Sequence, residues 1–158
     1  MTSAERDRLQ AQIRAAFADV PRPSHAQFTD ATSGEEYEET SAFFGQTPEQ
    51  VGHAQLVQYR EVLFWFTPEA FHYFLPAFLR EAVARDDPDA LYVDMIVRLL
   101  MEPDDAFARA RWKRLSDLQN RALHAWLAWL RDKQAPESSA RAEVEWAMLM
   151  LEKDAFRR

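Results

Sequence analysis

Glu69 and His72 stand three residues apart, the spacing at which one turn of helix brings two side chains to one face. A carboxylate and an imidazole so placed can share a metal ion, and helical bundles use Glu-x-x-His in di-iron sites. Such a site needs a second Glu-x-x-His and two more inward glutamates, and the chain has no second motif. Glu49 and His53, four apart, also share a face, but no His-x-x-x-His pair accompanies them. The histidines His25, His53, His72 and His124 are scattered. Glu69 also has a sufficient local job, because an acid in a first helical turn is favoured by the helix dipole. With no cysteine in the chain, disulfides, thiolate zinc sites, iron–sulfur clusters and thiol nucleophiles are excluded. No Gly-x-Ser-x-Gly occurs, and three glycines leave little material for a nucleophile elbow or a phosphate loop. Asp94, between Val93 and Met95, is the one carboxylate in an apolar run, and it is expected on the exposed side of its helix. The expectation is that the chain carries no catalytic residue, no cofactor and no metal.

The charge pattern points elsewhere. From Thr29 to Glu49 there are six acids and no base, whereas the whole chain has a net charge of −7. Glu35, Glu36, Glu38 and Glu39 surround Tyr37, and Phe43 and Phe44 follow. Acids steer a basic partner and aromatic rings anchor it. Glu35, Glu36, Tyr37, Glu38, Glu39 and Phe44 are therefore the expected partner-binding residues, and the expected partner is a protein with a basic surface. Net acidity argues against nucleic acid and anionic membrane as partners. The basic run Arg109, Arg111, Lys113 and Arg114 is expected on a solvated helix face or paired within the molecule, with Asp104, Asp105 or the acidic segment.

The elements that hold these residues read as helices. Leu9, Ile13, Ala16, Phe17 and Val20 line one face of a first helix from about Ser3, which Pro21 and Pro23 stop. Residues 24–46 lack periodicity and are expected to form a long acidic loop with at most a short regular piece. Thr47-Pro48-Glu49-Gln50 and Thr67-Pro68-Glu69 each place an N-cap hydroxyl before a proline, so one helix is expected over 47–66 and a new one from 67. Pro76 should kink or divide the latter. Further helices are expected from Asp87-Pro88-Asp89 to Pro103, over 105–113, over 116–132 with Leu118, Ala122, Trp126 and Trp129 inward, and over 139–156. Eight aromatics between Tyr59 and Phe78 are expected to form a core staple around the break at Phe66, the alternative being an aromatic-lined ligand or peptide groove, with Trp112, Trp126, Trp129 and Trp146 as partners in either case. No apolar run approaches the roughly 18 residues of a membrane span, and no leader-like apolar stretch opens the sequence. The chain is expected to be cytoplasmic. A length of 158 with 47% hydrophobic and 28% charged residues fits one domain, 1–158, with its own core.

Three stretches resemble a bacterial family of unknown function. They are Ile13-Arg14-Ala15-Ala16-Phe17-Ala18-Asp19-Val20-Pro21, the core from Thr67-Pro68-Glu69-Ala70-Phe71 to Leu75-Pro76-Ala77-Phe78, and Leu115-Ser116-x-x-Gln119 with its aromatic-rich helix to Leu130. The resemblance implies a mostly helical bacterial domain and transfers no catalytic residue.

The whole is expected to be an all-α bundle of five to seven helices carrying one long acidic loop. It is expected to act as an immunity-like or regulatory protein-binding module. A small-molecule binder or metal-dependent enzyme centred on Glu69, His72 and nearby aromatics is the alternative, and a homo-oligomeric structural protein is another.

Overall fold

Thr67 caps the longest helix and ties three parts of the chain together. In the computed structural model, which describes residues 1–157, its side chain accepts the Ala70 N–H at 3.2 Å. Its hydroxyl donates to the Gln27 carbonyl, and its own N–H donates to the Phe28 carbonyl at 3.0 Å. The carbonyl one residue earlier, on Phe66, accepts from Arg111 Nη2 at 2.6 Å.

Nine α-helices lie within the described residues, and no strand does. They are α1 (Ser3–Ala16), α2 (Glu35–Ser41), α3 (His53–Gln58), α4 (Val62–Trp65), α5 (Pro68–Arg85), α6 (Leu91–Met101), α7 (Ala106–Trp112), α8 (Asp117–Lys133) and α9 (Ser139–Glu152). Short 3-10 turns cover His25–Gln27 and Pro48–Gln50. Helix α5 is apolar on most of its circumference and lies at the centre, as a helix hydrophobic on most sides must. Helices α1, α6, α7 and α8 all pack against it, α9 closes over α6 and α8, and α2 rests on α4. Phe66, Phe71, Phe74 and Phe78 are fully buried. Phe28, Phe43, Phe66 and Phe74 form a cluster of edge-to-face and stacked rings with centroids 5.3–6.1 Å apart. Trp126 and Trp112 are buried too, and their indole N–H groups donate to the carbonyls of Leu79 at 3.1 Å and Leu99 at 3.0 Å.

The helix count exceeds the expected five to seven for two reasons. The 47–66 stretch is not one helix but a 3-10 turn, α3 and α4, because Val51 and Gly52 are extended and Tyr59 breaks the ladder again. The acidic segment is not a long loop either. Gly34, at a positive φ of 84°, opens α2, and Thr40 folds its hydroxyl back onto the Glu36 carbonyl at 2.8 Å. Tyr37, Thr40 and Phe43 recur at three-residue intervals, and Thr40 and Phe43 are buried. Pro76 does not divide α5, which runs unbroken from Pro68 to Arg85 with Pro76 buried in it. Asp87-Pro88-Asp89 is the turn before α6, not its start, and α9 ends at Glu152. Leu118, expected inward, is more than half exposed, as is Leu91, because each lies in the first turn of its helix, ahead of the neighbours that cover the rest. Trp146 is also partly exposed, its Nε1 donating to Met101 O at 3.3 Å.

Thr67→Val keeps shape but removes both the cap and the donor to Gln27. It should cost about 2 kcal/mol, read as a lower urea midpoint with an unchanged slope. An unchanged midpoint would show that this corner does not support the fold.

Candidate functional sites

The expected partner-binding residues lie on and just after helix α2. Glu35, Glu36 and Glu38 are exposed on α2, whereas Glu39 is half-buried. Burial pushes the Glu39 carboxyl above the usual range, with Glu35 and Glu61 adding to the shift, so it releases its proton less readily than its neighbours. Phe44 is half-buried, its ring 4.0 Å from that of His25 and 4.6 Å from that of Phe28. Tyr37 meets the same ring edge-on at 6.4 Å. These rings border a hollow of about 320 Å³ whose lining includes His25, Thr29, Asp30, Thr32, Tyr37 and Phe44. The sequence did not announce the hollow, because residues 25–32 reach it only when Thr67 fastens Gln27 and Phe28 to α5.

Glu69 and His72 share a face of α5, as their spacing requires, but they are engaged separately. Glu69 pairs with Arg114 at 3.0 Å. His72 Nε2 lies 2.8 Å from Gln119 Oε1, the oxygen that also accepts the Ser116 N–H. Burial lowers the His72 pKa, the bond to Gln119 raises it partway back, and Arg114 lowers it further. The imidazole is therefore neutral at pH 7 and donates from Nε2. Among the described residues, no group of three histidines and acids could hold a metal ion.

Both side chains open into a cleft of about 550 Å³ shared with Arg22, Gln27 and Arg114. A second cleft of about 360 Å³ lies along α5 on the far side of Arg22 and includes Arg14, Thr47, Glu49 and Tyr73. The segment Val20–Pro23 between α1 and the His25 turn runs between the two, since Val20 and Arg22 line both. These residues come from positions 14–27, 47–49, 69–76 and 114, so no local motif could have joined them.

The basic run splits by environment. Arg111 is buried, with its guanidinium 3.3 Å from the centre of the Phe107 ring and hydrogen bonds to the Phe66 and Phe107 carbonyls. Its Nε has no hydrogen-bond partner among the described residues. Burial pushes its pKa down to about 10, which leaves it cationic at neutral pH. Arg109 donates to the Pro103 carbonyl and meets Asp104 at 3.5 Å, Arg114 meets Glu69, and Lys113 is exposed. Asp94 is exposed, as its sequence suggests, and pairs with Arg98 at 2.9 Å. Among the described residues, no helix is long and apolar enough to cross a membrane.

No curated protein matches the chain, and no solved structure matches it. A family match extends over residues 5–151 and takes in every helix but the ends of α1 and α9. The chain belongs to this family, the family of unknown function DUF6714.

Proposed function

We propose that the protein is a small cytoplasmic binding module, of the immunity or regulatory kind, that takes a basic protein partner on the face formed by α2 and the hollow beside it. The observation that carries this reading is the juxtaposition of exposed Glu35, Glu36 and Glu38 with a hollow bordered by Tyr37, Phe44 and His25. A Lys or Arg side chain has an aliphatic stem that packs on rings and a cation attracted to their faces. Asp30 at the wall of the hollow would meet that cation, and the α2 carboxylates would speed the encounter. Ordering in the free state helps as well, because a partner then need not fold the segment to use it.

A second reading is a small-molecule binder at Glu69 and His72. The 550 Å³ volume of their cleft favours it, since ligand pockets begin at a few hundred Å³. Against it stand the internal partners that already occupy both side chains, Arg114 and Gln119.

Affinity capture with the wild type and with an E35K/E36K/E38K variant should recover different partners, with the basic ones lost from the variant. Identical sets would overturn the first reading. For the second site, the sign of the histidine shift makes an independent expectation. A folded pKa below the unfolded value means that the unfolded chain takes up the proton first. His72 should therefore contribute stability that is intact above pH 6.5, its ordinary value, and is lost as pH falls through it. His72→Gln should flatten that part of the stability profile, and a profile identical to wild type would show that the imidazole is not held neutral.

A further inference from the structure

We propose that the cleft between α1, the Pro48–Gln50 turn and α5 binds the phosphate group of a small phosphate monoester. The site is independent of the acidic face and rests on none of its residues. Its lining brings Arg14, Arg22, Thr47, Glu49, Tyr73 and Pro76 around about 360 Å³, within the size range of small-ligand pockets.

The charge balance there is opposite to that of the chain. The protein carries 26 acids against 19 bases, and several guanidinium groups elsewhere are matched by carboxylates, as in Arg6–Asp86, Arg98–Asp94 and Arg141–Glu145. In this cleft neither arginine is so matched. Arg22 donates only to the Gln46 carbonyl, at 3.3 Å. The Arg14 side chain makes no hydrogen bond and no ion pair with a described residue. The cleft's one carboxylate, Glu49, already faces a cation, because buried Arg80 lies 4.0 Å from it. Arg80 itself is fixed by the carbonyls of Pro48 at 3.0 Å and Pro76 at 3.3 Å. Two guanidinium groups, one from α1 and one from the segment beside it, are thus left with a combined charge of +2 to match a phosphate dianion.

The neutral groups fit the same ligand. The Tyr73 hydroxyl makes no hydrogen bond to a described residue, and burial raises its pKa, with Arg22 opposing and Glu49 adding to the shift. It stays protonated and can donate. Two forked cations and a phenol supply more donors than the two oxygens of a carboxylate can use, whereas a phosphate has three. Phe17, Val20 and Pro76 give an apolar wall for the organic part.

The test is calorimetric titration and thermal shift of the full chain with inorganic phosphate, phenyl phosphate and benzoate at fixed ionic strength. Phenyl phosphate should bind saturably and more tightly than benzoate, and R14Q and R22Q should each weaken it by about tenfold or more. R98Q, at a paired arginine outside the cleft, should leave it unchanged, as should E35K/E36K/E38K. No saturable response to either phosphate would overturn the proposal. So would binding that survives in the R14Q/R22Q double variant, or benzoate bound as tightly as phenyl phosphate.

Discussion

The corner at Phe66 and Thr67 is the constraint on which the rest depends. Two successive residues leave the helical region there, and their polar groups must find partners in the interior, where an unmade hydrogen bond is costly. Phe66 finds Arg111, and Thr67 finds Gln27, Phe28 and Ala70. Those bonds fix where α7 meets α5 and where the chain passes after α1. They also bring Phe28 against Phe44, Phe66 and Phe74, so the polar corner and the aromatic cluster hold one another in place. Arg111 belongs to this corner rather than to any binding surface. Its charge is tolerated inside because a ring face and two carbonyls solvate it, in the way that weakly hydrated guanidinium allows.

The well-read parts of the fold are those whose signals are local. Ser116 with Gln119 and Thr67 with Pro68 mark the starts of α8 and α5 because a cap is made within four residues. The acidic segment was opaque for a physical reason. Glutamates in sequence look like a solvated loop, and only Tyr37, Thr40 and Phe43 at helical intervals betray a face that packs. The single helix anticipated over 47–66 failed because Val51 and Gly52 are extended, and the apolar residues around them could fill a core in either arrangement. Pro76 reads as a break when propensity alone is weighed, and tertiary burial on α5 overrides it. The candidate sites were legible only in part. Glu35 to Glu39 and Phe44 stay near one another because they are close in sequence, on and just after α2. The Arg14, Arg22 and Tyr73 grouping exists only after α1 is laid against α5.

The surface thus carries two regions of opposite character. The acids of α2 give the molecule most of its net negative charge, and the arginines beside α1 gather in the hollows along α5. An acidic protein that keeps unmatched cations next to a cavity sets up a field able to draw anions against its own overall charge.

Arg22 lies between Pro21 and Pro23, so its backbone is restricted on both sides and only its side chain can swing. Because Arg22 lines both clefts, an occupant that draws its side chain into one hollow withdraws it from the other. Occupants of the two hollows would then be antagonists, each weakening the other by the same factor, with no helix having to move.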